Sequence, residues 1–236
     1  RIQEQMLQAV ADALGPELVR QVAFVGGCTT ALLITDAFAR EAVRFTEDVD
    51  VIVHVLGYGK WQGLLSELRQ RGFRESSEDD IICRMRLPNA LSERDLLVDF
   101  MPDDEAILNF TNRWYRDALQ TAANHALPSG TVIRVVMPIY FLATKLEAYR
   151  GRGRNDPLGS RDIEDILAVV DGRATLLSEL EKADPAVRHY IAQATHTLLA
   201  HRDFAYAVQS AARQQPAREE LIFQRLEAIA VPPAHS

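Results

Sequence analysis

The chain has 236 residues, 47% hydrophobic and 25% charged, with a formal net charge of −7. That is an ordinary globular composition, with room for one large core or two smaller ones, and it excludes fibrous and disordered classes. The acidic balance also argues against a broad phosphate-tracking surface, so any nucleic-acid contact must be local.

Residues Ile2 to Val19 have Met6, Val10, Leu14 and Leu18 at helical spacing, with Gly15-Pro16 marking a break. Gln21 to Val25 predicts a short strand, Gly26-Gly27 a turn and Thr29 to Arg40 a helix. The run Val22 to Ile34 is too short to cross a bilayer, so no membrane partner is expected. A second strand is expected at Asp48 to Val55, ended by Gly57-Tyr-Gly59, and a helix at Trp61 to Arg71. Asp80 to Leu87 and Asp95 to Met101 predict an antiparallel strand pair around Pro88-Asn89, and Thr131 to Val136 a further strand. Beyond Pro138 the pattern is helical: Pro138 to Tyr149, Ser160 to Val170, Ala174 to Lys182, Pro185 to Ala200 and Pro216 to Ala230, with a loose tail from Val231. The expected fold is α+β, with a mixed sheet domain over residues 1–137 and a helical domain over residues 138–236. Cys28 and Cys83 lack metal-ligand spacing, and no secretory pattern opens the sequence, so a reducing cytoplasm is the expected setting.

The chemistry concentrates in the second strand. Side chains alternate along a strand, so Asp48 and Asp50 face one side while Val49, Val51 and Val53 face the other. Aspartate is a poor strand former, and two at alternating positions in a valine-rich strand are unexpected on packing grounds. Asp99, inside the apolar run Leu96 to Phe100, adds a third carboxylate that is costly there without a partner. Three acidic groups in one sheet repel unless cations lie between them, and oxygen ligands of this kind suit Mg²⁺. A solvated strand face is the bland alternative. Gly26-Gly27 opens a helix where backbone N–H groups can approach phosphate, with Thr29 and Thr30 as hydroxyl donors or helix caps. Lys145 falls on the inward stripe of its helix with Leu142, Leu146 and Tyr149, either as a triphosphate ligand or as a packed stem with a solvated ammonium. Asp162 and Asp165 border the core face of the next helix. One candidate for local phosphate contact is the stretch Lys145 to Arg161, where Lys145, Arg150, Arg152, Arg154 and Arg161 outnumber Glu147 and Asp156.

With Gly-Gly, then Arg-Phe-Thr-Glu-Asp-Val-Asp at Arg44 to Asp50, then Asp99, Lys145 and Arg-Asp-Ile-Glu-Asp at Arg161 to Asp165, the chain resembles the polymerase-beta type nucleotidyltransferase superfamily. Within it, the chain is similar to the AbiEii group, the toxin component of type IV toxin–antitoxin systems. The resemblance covers about Ala23 to Val170 and implies that Gly26 and Gly27 cradle nucleotide phosphates while Asp48, Asp50 and Asp99 hold two Mg²⁺ ions. It further implies that Lys145 steadies the triphosphate of an NTP substrate, that Asp162 matches the acidic residue of the last helical motif, and that Arg44 and Thr46 brace the aspartate strand or touch phosphate. The implied reaction moves an NMP to an acceptor hydroxyl, for this group a tRNA 3′ end, with an antitoxin protein as partner. Two other readings stay open at this point: transfer to a small cationic molecule of the aminoglycoside type, and a non-catalytic nucleotide-binding module.

Overall fold

The computed structural model describes residues 2–77, 79, 82–89, 94–108 and 112–232. In chain order the elements are α1 (Ile2–Leu18), β1 (Ala23–Val25), a 3-10 turn (Gly27–Thr29), α2 (Thr30–Leu33), α3 (Ala37–Glu41), β2 (Asp48–Val53), α4 (Gly57–Gln70), β3 (Arg84–Leu87) and β4 (Leu96–Pro102). They continue with α5 (Glu105–Leu108), α6 (Tyr115–Thr121), β5 (Ala123–Ala126), β6 (Val132–Val135), α7 (Pro138–Arg152), α8 (Arg161–Gly172), α9 (Leu176–Glu181), α10 (Pro185–Leu199), α11 (Phe204–Ala211) and α12 (Pro216–Ile229). The chain divides into two compact units, one of residues 1–29 and 45–137, the other of residues 30–44 and 138–236.

The first unit is built on a six-stranded sheet in the order β3-β4-β2-β1-β6-β5. It is mixed: β2 runs parallel to β4 and β1 to β6, while the pairs β1/β2, β3/β4 and β5/β6 are antiparallel. Val49, Val51, Ile52 and Val53 of β2 are buried, as are all of β1 and Val98 and Phe100 of β4, so the central strands carry the core. Phe73 meets Phe100 edge-on at 5.3 Å between ring centroids, closing one side of it. Helix α1 bends where Gly15 takes φ 72 ahead of Pro16, the break that the Gly-Pro pair predicts.

The second unit is helical. Ile163, Ile166, Leu167 and Val170 of α8 are buried, and α3, α7, α11 and α12 pack against that helix. The mixed sheet and the helical unit together are the α+β architecture expected from the sequence.

Some elements differ from expectation. The helix expected over Thr29 to Arg40 is broken in two after Leu33. The backbone N–H groups of Thr35 and Asp36 donate to the Gly172 carbonyl at 3.0 and 2.9 Å, and the Asp36 carboxylate caps a new helix by accepting from the Ala39 N–H at 2.7 Å. Strand β3 starts at Arg84, whereas the expected start at Asp80 lies outside the described residues, as does the tail from residue 233. Strand β5 and helix α11 were not anticipated. Ala-Asn-His-Ala has no strand-forming residues and is held at the sheet edge by its ladder with β6. In α11 the buried positions Phe204, Ala207 and Val208 do follow helical spacing, in a segment too short to stand out.

Candidate functional site

The three carboxylates expected to act together share one sheet face. Asp50 and Asp99 are direct register partners on the parallel strands β2 and β4, and Asp48 lies two residues before Asp50. Partners in adjacent strands point to the same side, so all three project from one surface. Asp99 is 6% exposed, while Asp48 and Asp50 are partly exposed.

Each carboxylate is held differently. Asp50 leans over the glycine turn, where a Cβ added to Gly26 would fall 1.8 Å from Asp50 Oδ2. Only a residue without a side chain fits there, and Gly26 also has φ 80, in the left-handed region. Asp48 accepts from the Thr46 hydroxyl through Oδ1 at 2.6 Å. Asp99 is gripped from the outer strand, where Arg84 is its direct register partner. Arg84 Nε and Nη2 donate to the two Asp99 oxygens at 2.7 and 2.8 Å, a two-pronged pairing, and Nη2 also reaches Asp48 Oδ2 at 3.2 Å. These partners hold the Arg84 guanidinium even more firmly protonated than usual, the Asp99 hydrogen bonds being the main cause. Beside them, burial, followed by the charges of Asp99 and Asp50, pushes the Cys83 thiol up to about 12. Cys83 is therefore a packing residue at neutral pH, with its sulfur 3.4 Å from Met101 Sδ.

At the turn, Thr29 Oγ1 donates to the Gly26 carbonyl at 2.9 Å and the Thr29 N–H to the same oxygen at 3.1 Å, which ties the turn closed. Gly27 and Thr29 are buried in the 3-10 turn. Among the described residues, the buried Thr30 hydroxyl has no hydrogen-bond partner. In the same register row as Asp48, Arg86 and Leu97 line a cavity of about 820 Å³ together with Met6, Phe45 and Arg94; Asp48, Asp50 and Asp99 do not line it.

The remaining candidates belong to the helical unit. Lys145 on α7 is 7% exposed, and its Nζ lies 3.1 Å from Asp162 Oδ1 and 2.7 Å from Asp165 Oδ2. The inward stripe predicted this burial; the carboxylate partners come from α8, where positions three apart share a face. Arg44 donates through Nε and Nη2 to the two oxygens of Asp165 at 3.0 and 2.9 Å. Arg152 donates to both oxygens of Asp162 at 3.0 Å each. Burial by itself would raise the Asp162 carboxyl, but the Arg152 hydrogen bonds and the Lys145 charge outweigh it and hold it below the usual carboxylate range. Arg44, Lys145, Arg152, Asp162 and Asp165 thus form one ionic network.

Two members of these clusters were missed from the sequence. Arg84 had a readable signal: in Arg84-Met-Arg-Leu87 the arginines alternate with buried apolar residues, which puts them on one strand face. Asp165 was seen only as a border residue, and nothing local says that it joins Arg44, 121 positions away.

Among the described residues, no group of three or more His, Cys, Asp or Glu side chains is arranged as it stands to hold a metal ion, and no helix is long and apolar enough to cross a membrane. No protein-family model matches the sequence, and no curated protein does. Among solved structures, the chain is similar to JHP933 from Helicobacter pylori at 15% identity and TM-score 0.47, covering 97% of this chain and 88% of that one. It is similar also to an H. pylori protein named "putative nucleotidyltransferase" at 15% identity and TM-score 0.46, covering 97% and 91% of the two chains.

Proposed function

We propose that the chain is a Mg²⁺-dependent nucleotidyltransferase, moving an NMP from an NTP to an acceptor hydroxyl with release of pyrophosphate. The observation that carries this reading is the convergence of Asp48, Asp50 and Asp99 on one face of two parallel strands, with Asp50 packed onto the Gly26 turn. The donor set fits the metal in kind, because Mg²⁺ prefers hard oxygen ligands and is commonly held by carboxylates together with substrate phosphates. In this reading Asp48, Asp50 and Asp99 hold the metal, whose chemistry is to polarise the phosphoryl oxygens and lower the pKa of the attacking hydroxyl.

The protein's own contribution is positional. Gly26 leaves room for the Asp50 carboxylate and lets backbone approach phosphate, and the Thr46 hydroxyl fixes the Asp48 carboxylate through a short hydrogen bond. The resemblance casts Lys145 as a triphosphate ligand and Asp162 as the acidic residue of the last helical motif. The acceptor we propose is the 3′ end of tRNA, in the manner of an AbiEii-like toxin with an antitoxin partner in the cytoplasm. The AbiEii-like motifs and the exposed Arg150 and Arg154 support that acceptor.

The test is transfer of label from each nucleoside triphosphate to total tRNA in the presence of Mg²⁺. Wild-type protein should label RNA with one preferred nucleotide, and Asp48→Ala with Asp50→Ala should lower the rate at least about a hundredfold. Labelling that survives the double substitution would rule out this carboxylate site; labelling of a small cationic acceptor instead of RNA would redirect the acceptor assignment.

A further inference from the structure

Arg84 occupies the place where a cation is wanted. Its guanidinium takes both oxygens of Asp99 and one of Asp48, while Thr46 takes the other Asp48 oxygen. The pairing is well enclosed, with side-chain exposures of 14% for Arg84 and 9% for Asp99. Two carboxylates brought together on one sheet face repel, and a guanidinium lying across both removes that cost. Arginine does not lose its proton in proteins, so raising the pH does not release the carboxylates; movement of the side chain does. The residue stands on β3, the outermost strand of its end of the sheet, so its side chain can withdraw without disturbing the central ladder.

We propose that Arg84 is a positioning residue that competes with the divalent cation: the Arg84 clamp on Asp48 and Asp99 and metal binding by those carboxylates exclude one another. The inference rests on the metal-dependent reading above. With the clamp closed, the guanidinium offsets part of the carboxylate charge on this face without metal. Metal entry transfers Asp99 and Asp48 from guanidinium to the ion and frees Arg84. The consequence is a metal affinity weakened by the strength of the arginine pairing, so that the site loads fully only when a second interaction, such as the phosphates of a bound nucleotide, adds to the metal's hold.

The experiment is Mn²⁺ titration followed by electron paramagnetic resonance of the free ion, with no nucleotide present and no turnover required. Arg84→Gln should bind Mn²⁺ about tenfold more tightly than wild type, because a charge-assisted pairing no longer has to be broken. Arg84→Lys keeps the charge but loses the fork, and should fall between the two; it also decides the matter should Arg84→Gln not fold. Arg86→Gln removes the same charge from the same strand face, where Arg86 pairs with Asp79 at 2.9 and 3.1 Å, and should shift affinity less than about twofold. Mn²⁺ affinity that is unchanged or weaker in both Arg84 variants would overturn the clamp while leaving the metal site in place, as would an equal gain from Arg86→Gln. Absence of Mn²⁺ binding in every form, including with added nucleotide, would overturn the clamp and the metal reading together.

Discussion

At Gly26 the absence of a side chain decides what can stand next to it. A methyl group there would sit 1.8 Å from Asp50 Oδ2 and 2.9 Å from Asp50 Cβ, and the residue's φ of 80 disfavours any Cβ. Gly26→Ala must displace both the turn and the carboxylate. We expect it to cost about 2 kcal/mol of stability, read from urea denaturation, and to weaken Mn²⁺ binding as well. A variant with wild-type stability and metal affinity would show that the close approach is not required. The Gly-Gly pair was visible in the sequence, and so was its place before a helix. That Asp50 lies over the first of the two glycines was not, because the contact needs β1 and β2 to pair with Val25 opposite Asp50.

Helix α8 shows how one element gathers charges from distant parts of the sequence. Its start is capped by Ser160, which accepts from the Ile163 N–H at 3.3 Å, and Asp162 and Asp165 then fall on one face one turn apart. Asp165 is 1% exposed and serves both Arg44 and Lys145. Removing it takes from Arg44 a two-pronged pairing and from Lys145 its shorter carboxylate contact, in a buried setting. Asp165→Ala is expected to destabilise the protein by about 3 kcal/mol in urea denaturation. Glu164→Ala, one residue away but with its side chain 60% exposed and 3.8 Å from Arg44, should change stability by no more than about 0.5 kcal/mol. Equal losses in the two variants would contradict the assignment of Asp165 as the centre of the network. The amphipathic pattern of α8 was legible, but the partner of each aspartate was not, since Arg44 and Arg152 come from separate segments of the chain.

Among the described residues, Asp36, Glu75, Asp79, Asp162 and Glu179 all have carboxyl groups held below their ordinary range. Asp36 is lowered chiefly by the Ala39 N–H, Asp79 by Arg86 and Glu75 by Arg69, while Asp162 and Glu179 are lowered by arginine partners that outweigh burial. A carboxylate depressed in the folded state adds stability that is fully present above its unfolded value, here 3.8 for aspartate and 4.5 for glutamate, and is lost as pH falls through the folded value. The urea midpoint should therefore be flat from about pH 7 to about pH 5 and decline below about pH 4.5. Asp36 and Glu75 have exposed side chains and will contribute little once salt screens them, so the decline should rest mainly on Asp79, Asp162 and Glu179. A midpoint that rises on acidification would contradict these assignments.

The sequence by itself determined the periodic elements and the polarity of their faces. Alternation placed Asp48 and Asp50 together, a buried aspartate in an apolar run marked Asp99, and helical spacing put Lys145 inward; each is a property of residues a few positions apart. Tertiary structure decided the partners. Strand order brought Asp99 level with Asp50, the antiparallel β3/β4 pairing laid Arg84 across two carboxylates, and Gly172 drew the backbone of Thr35 and Asp36 out of a helix that local propensity favoured. Those outcomes depend on register and on contacts between segments tens of residues apart, which the backbone periods of 2 and 3.6 do not encode.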